Sequence, residues 1–298
     1  MAVGFVLVRI GLIGEAGVRW LVLFVFNAAI PIMLFYRIAT IDFPAQIAWG
    51  FLFGYYASAF AAYGLGMLSA RFFFHLSIDE QAIHGLGAGF SNTVLLGIPL
   101  MLSAFGDQAT VPVFLIISVH SATLLPISII LIESVRQPGG QASQFRIARL
   151  ILEVLANPII LGILLGLVTN LLGLTLPGPV EAAAQVMVWV AIPCALLALG
   201  SSLAGYRLEG QIGPAAVLTG IKLVVQPLLA WVLVVPILGL EAPWAPVAVL
   251  MAGMPSGAMV YLFGARYEAA TEVAASVVVI SSGVSVVTLS ILLVLMGA

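Results

Sequence analysis

Charged residues stand far apart in this chain, and the stretches between them are long enough to cross a bilayer. None occurs between Arg19 and Arg37, Asp42 and Arg71, Glu80 and Asp107, or Asp107 and Glu133. The second half repeats the pattern from Glu153 to Glu181, Glu181 to Arg207, Glu209 to Glu241 (broken only by Lys222), Glu241 to Arg266, and Glu272 to the end. A spanning helix needs ~20 mostly apolar residues at 1.5 Å each, so these nine stretches read as nine full spans. Their apolar residues do not alternate with polar ones, which excludes an outer-membrane barrel and leaves helices. With charged residues at 7% and hydrophobic ones at 63%, the chain cannot cover a water-facing surface. A net charge of −2 offers no basic field to nucleic acid. The single cysteine, Cys194, allows neither an intrachain disulfide nor a Cys-based metal cluster, and no cofactor is expected. Beside Pro193, Cys194 reads as a small buried hydrophobe.

Met1–Val8 is apolar but too short to cross. It is either a re-entrant segment or a tenth span whose outer half lies upstream, and the second is expected. No cleavable signal peptide is evident, because the apolar start runs into Arg9 without a small-residue cleavage site. If the Arg9–Arg19 turn is cytoplasmic, alternation puts Arg71, Arg136, Arg146, Arg149, Arg207 and Arg266 on that side too. Arg37 alone falls outside and Lys222 lies within a span, a strong positive-inside pattern that makes the C-terminus periplasmic.

The longest polar connection, Glu133 to Glu153, contains Gln137-Pro138-Gly139-Gly140 and divides the chain near its middle. The flanking halves echo each other: Ala29-Ile30-Pro31 and Ala191-Ile192-Pro193, Gly97-Ile98-Pro99 and Gly253-Met254-Pro255, Phe105-Gly106 and Phe263-Gly264. Five spans is an odd number, so the second copy must be inverted, a recurring transporter design. The expected fold is an all-α polytopic membrane protein of two inverted five-helix repeats, with broken crossing helices in spans 4 and 9 and an incomplete first span. The repeats are 1–137 and 148–298, joined by a cytoplasmic linker at 138–147.

A proline inside a span removes a backbone hydrogen bond and strains the preceding turn. Lipid cannot satisfy the groups so exposed, so they must face protein or a water-filled cavity. A half-helix beginning at such a break points free N–H groups and its positive dipole end at the midplane, which suits an anion. Pro31, Pro193 and Pro227 are read as kinks. Pro99 and Pro255, each two residues after a glycine, are read as breaks that build a site.

At these residues the chain resembles the auxin efflux carrier family. Ser91-Asn92-Thr93-Val94-Leu95-Leu96-Gly97-Ile98-Pro99-Leu100 is similar to the fourth-span motif of PIN-type carriers and their bacterial relatives. Pro255-Ser256-Gly257-Ala258-Met259-Val260-Tyr261-Leu262-Phe263, then Tyr267, is similar to the ninth-span motif. Asn157-Pro158 and Gly200-Ser201-Ser202-Leu203 also fit the bacterial members, and Gly4 to Arg9 resembles the end of a complete first span. The resemblance implies ten spans, crossing breaks in spans 4 and 9, and transport of an organic anion such as malonate or an auxin-like acid. Departures are Ser256 where plant carriers have glutamine, the absence of their large cytoplasmic loop, and a third span (45–70) without an acidic residue. The last puts a proton-linked mechanism in doubt.

The expected substrate site is Asn92, Gly97, Pro99, Gly253, Pro255 and Ser256, with free N–H groups near Gly97 and Gly253. The Asn92 amide both donates and accepts, either to a carboxylate or across a helix pair. Lys222 is the only charge deep within a span. It either neutralises a substrate carboxylate, fills an ion position, or is tied to carbonyls at the breaks, with Gln226 on the same face. His120 is either a proton relay or a satisfied bundle histidine.

The reading is a secondary transporter that moves a small organic carboxylate across the inner membrane by alternating access as a uniporter; its partners are the anion and the bilayer, with a homodimer as the expected assembly. The alternatives are an ion-coupled symporter of the bile-acid/sodium type and a channel. An intramembrane aspartyl protease would need two aspartates within spans, but Asp42, Asp79 and Asp107 fall at span ends; three scattered histidines supply no zinc site.

Overall fold

The computed structural model describes residues 1–44, 46–136, 156–205 and 212–297. The expected linker at 138–147, the second repeat's start at 148, and Arg146, Arg149, Glu153, Arg207 and Glu209 lie outside the described residues. Among the described residues every regular element is helical, with one isolated β-bridge. Exposed large apolar side chains such as Trp189, Leu165 and Val294 mark faces made for lipid.

Among the described residues, six helical runs are long and apolar enough to cross a membrane: Glu15–Thr40, Gly50–Phe74, Thr93–Arg136, Gly178–Gly205, Ile212–Ile237 and Thr271–Leu295. The sequence count of nine differs for a physical reason. The expected fourth span is divided at Phe90–Asn92 and the ninth at Gly253–Ala258, so their pieces are too short to cross alone, and the described part of the expected sixth is the 14-residue helix Pro158–Leu171. Thr93–Arg136 spans 44 residues, the rest of the fourth stretch plus the fifth, and a 3₁₀ turn at Gly106–Ala109 interrupts it. Gly106 has φ 59°, a conformation that favours glycine.

The described chain falls into two compact units. The first comprises Met1–Gln46, Val94–Phe114 and Ile151–Gly205. It holds α1 (Ala2–Arg9), α2 (Glu15–Thr40), α5 (Ile98–Phe105), α7 (Pro158–Leu171) and α8 (Gly178–Gly205). Asn157 caps α7, its side-chain oxygen accepting from the Ile159 amide at 2.9 Å, and Pro158 follows at the first helical position. A Cβ on Gly162 or Gly166 of α7 would strike the backbone of Pro31 or Phe35 of α2. Gly4 of α1 and Gly200 of α8 likewise meet backbone, at Leu197 and Met1 respectively. Small residues let helix backbones approach where hydrophobicity supplies no drive, because lipid is equally apolar. At one end Arg37 pairs with Asp107, and Tyr36 meets Glu181 and Gln185.

The second unit comprises Ile47–Thr93, Leu115–Leu150 and Tyr206–Ala298. It holds α3 (Gly50–Phe73), α4 (Ile78–Gly89), most of α6 (Thr110–Arg136), α9 (Ile212–Ile237), α10 (Trp244–Ala252), α11 (Met259–Arg266) and α12 (Thr271–Leu295). Ser77 and Glu80 form a capping box that starts α4, and Asp79 in the same turn pairs with Arg136 at 2.7 Å. α4 packs on α3 through small residues: a Cβ on Gly66 would lie 2.7 Å from the His84 carbonyl, and one on Gly89 would lie 2.9 Å from that of Ala59. Tyr63 fills the space over Gly85 and ties its hydroxyl to Ser128 at 2.8 Å.

Three prolines follow one local rule. Pro31, Pro99 and Pro227 each sit two residues after a five-residue π turn: Val25–Ala29, Thr93–Gly97 and Ile221–Val225. Proline has no N–H and its ring clashes with the carbonyl four residues back; a wider turn accommodates both. Pro193, which the sequence pairs with Pro31, lies inside α8 without such a turn. Cys194 beside it is half-buried rather than buried.

Candidate functional site

Two helices of the second unit stop inside it. α4 ends at Gly89 and α10 at Ala252; the chain runs extended directly after the first, and after a turn at Gly253–Met254 following the second, before helix resumes. The extended pieces pair antiparallel at Ser91 and Ser256. The Asn92 amide donates to the Pro255 carbonyl at 2.8 Å, and the Gly257 amide to the Phe90 carbonyl at 3.0 Å. Backbone groups freed by the two helix ends are thus satisfied by each other, as a dry interior demands.

Side chains satisfy what the bridge does not, in matched fashion. The Ser91 amide donates to His120 Nε2 of α6 at 3.0 Å, and the Ser256 amide donates to Ser281 Oγ of α12 at 3.0 Å. Both helix C-termini carry carbonyls without partners in their own helices. Ser256 Oγ donates to the Gly87 carbonyl of α4 at 2.6 Å, and Lys222 Nζ donates to the Ala252 carbonyl of α10 at 2.6 Å. Each stopped helix has a side-chain cap on its carbonyl end, and each extended serine has a side-chain acceptor for its amide.

His120 is 1% exposed and Ser91 also 1%. An amide only donates, so Nε2 carries the lone pair and the proton sits on Nδ1, which lies 3.2 Å from the Tyr55 hydroxyl. The ring also packs on Phe90 with centroids 4.5 Å apart. Of the two sequence readings, this geometry is that of a histidine satisfied on both nitrogens.

Lys222 is fully buried, as is Gln226. Besides the Ala252 carbonyl, its Nζ donates to Gln226 Oε1 at 2.6 Å. That contact turns the Gln226 amide nitrogen away, and Nε2 is buried without a partner. Asn92, 6% exposed, uses its backbone in the bridge, while its Nδ2 is likewise buried and unpartnered. The second unit therefore holds a buried ammonium and two amide donors with no acceptor, an arrangement suited to negative oxygens.

Of the expected site residues, the structure brings together Asn92, Pro255 and Ser256 at the bridge, with Gly253 next to the Ala252 cap. Three expectations need correction. The Gly253 amide is not free: it donates to the Val249 carbonyl at 2.9 Å, because Gly253 closes a helix and a helix end frees carbonyls, not amides. The Ser256 hydroxyl is committed to Gly87. Gly97 and Pro99 belong to the first unit, where Gly97 closes the π turn and Pro99 is buried at the start of α5. The echo of Pro99 with Pro255 is therefore not structural, since Pro255 lies in an extended segment and Pro99 in a helix. Tyr55 and Ser281 were not singled out in the sequence. Ser281-Ser282, in an otherwise apolar last span, was the available signal for the second.

A cavity of about 550 Å³ in the same unit is lined by apolar groups including Leu223, Pro227, Trp231 and Leu292, and none of the polar cluster opens into it.

Comparison with known proteins yields two matches. The family model described as "Membrane transport protein" matches residues 1–293. A protein of Rhizobium meliloti (strain 1021) described as "Putative malonate transporter" is 26% identical over 283 residues, covering 94% of this chain and 87% of that protein.

Proposed function

Because the chain belongs to the membrane transport protein family, which includes the auxin efflux carriers, we propose that it moves a small organic carboxylate, such as malonate or an auxin-like acid, by alternating access. It is a multi-pass membrane transporter and not an enzyme. The finer reading is a uniporter of the inner membrane, with its C-terminus in the periplasm. Its two five-helix repeats, 1–137 and 148–298, are inverted, and their fourth and ninth spans are broken where they cross. The matched capping of α4 and α10 supports the repeat.

One observation carries the substrate class: Asn92 Nδ2 and Gln226 Nε2 are buried donors without acceptors, in the unit that also buries the Lys222 ammonium. Leaving such donors unmet is unfavourable by about 1–3 kcal/mol each, which a carboxylate relieves and an apolar ligand does not. The Rhizobium relative's description makes malonate the first substrate to try.

Uniport rests on what the spans lack. The third span has no acid to carry a proton. A potential of 100 mV supplies about 2.3 kcal/mol per charge, against about 1.4 kcal/mol for a tenfold gradient, so an anion's exit needs no coupled ion. The test is uptake of labelled malonate into proteoliposomes under a positive-inside potential, without a sodium or proton gradient. Uptake should saturate and follow the potential. Asn92→Ala should weaken binding by roughly 10- to 150-fold. Uptake that demands inward sodium or protons at zero potential excludes uniport, and flux that never saturates marks a channel.

A further inference from the structure

We infer that Lys222 is a resident cation: its ammonium occupies an oxygen-lined site at the end of α10 that would otherwise take a monovalent cation. The inference deepens the uniport reading and rests on it for its functional meaning. Three observations carry it.

The first is the chemistry of the contacts. Nζ meets only oxygen acceptors, the Ala252 carbonyl and Gln226 Oε1, each at 2.6 Å. Backbone carbonyl and amide oxygens are the ligands that hard cations take in proteins. The second is the electrostatics. Ala252 is the last residue of α10, so its carbonyl belongs to the negative end of the helix dipole, and that end is buried. Among the described residues no carboxylate lies within ion-pair distance of Lys222, so the helix end and the amide are what hold the charge. The third is a spare oxygen. Thr219, three residues earlier on α9, is buried, and its hydroxyl has no partner.

The π turn Ile221–Val225 supplies the local reason this lysine sits where it does. The turn contains Lys222 and ends immediately before Gln226, so ammonium and amide oxygen meet across the widened turn. A lysine built into the chain cannot dissociate. The amino group is therefore held at the site in every state of the carrier, and no dissolved ion has to be drawn from either side to fill it.

Removing the side chain to Cβ should empty the site and expose its oxygens. The experiment is thermal unfolding of the full purified chain in detergent, in chloride salts of choline, sodium, potassium and methylammonium at equal ionic strength. Wild type should unfold at one temperature in all four. Lys222→Ala should fall by roughly 5–10 °C in choline, as when one partner of a buried charged contact is lost. Methylammonium or sodium should restore most of that loss. Lys222→Met keeps the length without the charge, and it guards against a variant that fails to fold. If Lys222→Met matches wild type in choline, the position needs bulk and not charge, and the inference fails. It fails equally if no cation restores Lys222→Ala. This readout uses no substrate, so absence of malonate uptake counts against the transport reading alone.

Discussion

Replacing His120 with phenylalanine isolates one hydrogen bond at the bridge. The ring and its packing on Phe90 persist, but the acceptor for the Ser91 amide disappears. Ser91 is 1% exposed, so water cannot stand in for the lost nitrogen. A buried donor left unmet is destabilising by about 1–3 kcal/mol. The Tyr55 hydroxyl, also fully buried, loses its contact with Nδ1 at 3.2 Å. At about 2–4 °C per kcal/mol for chains of 150–250 residues, the first loss alone lowers the unfolding midpoint by roughly 2–12 °C. The assay is thermal unfolding in detergent, read beside deuterium exchange at the Ser91 amide. Exchange should quicken in His120→Phe, because the extended segment opens more often. Tyr55→Phe supplies the second side of a double-mutant cycle, and the pair should lose less than the sum of the singles. A midpoint within 1 °C of wild type (about the scatter of such scans), together with unchanged exchange at Ser91, refutes the assignment of His120 as the acceptor that holds this segment.

Two further outcomes follow from the chain's ends and edges. A C-terminal alkaline phosphatase fusion should be active and a C-terminal fluorescent protein dark, because eight of the nine basic residues outside spans then lie in the cytoplasm; the reverse pattern overturns the topology. At the membrane boundary, burial alone would raise the Asp79 carboxyl, but hydrogen bonds from Ser77, Arg136 and the Glu80 amide, with the Arg136 charge, hold it below its ordinary value. A carboxyl depressed in the folded state stabilises above its unfolded pKa of about 3.9, and the stabilisation is lost as pH falls through the folded value. The wild-type midpoint should therefore drop more steeply below about pH 4 than that of Asp79→Asn, by no more than about 1 kcal/mol for so exposed a pair. Parallel slopes would remove Asp79 from the acid response.

The spans were legible because charge is so scarce that each Arg or Glu marks an end. Lys222 was legible for the same reason: one charge inside a span is conspicuous. Its partner was not, since the Ala252 carbonyl is a group that every residue carries, and only the end of α10 makes it special. The break of the fourth span was misplaced for a related reason, whereas that of the ninth does contain Pro255. Proline looks like the place where a helix fails, yet proline is well suited to the first turn of a helix, so the chain stops upstream of Pro99 and restarts before it. The alternation Gly85, Gly87, Gly89 just before the extended segment was the better sign, because glycine weakens a helix and lets a crossing backbone come close. Tyr55 gave no signal among the many aromatic residues of the third span.

The π turns before Pro31, Pro99 and Pro227 have a bearing on how these helices tolerate change in length. Each holds one surplus residue relative to an ordinary turn, and one residue of α-helix is about 100° of rotation. Side chains beyond the turn are thus set out of phase with those before it, and a face that is apolar upstream continues on a different residue series downstream. Replacing the proline alone leaves the surplus residue in the chain, so the phase shift remains. Only a paired change, removing the proline's constraint and one residue of the turn together, returns the helix to a single phase. Deletion of one residue elsewhere in the same span has no surplus to absorb it, and turns every later side chain away from its neighbours.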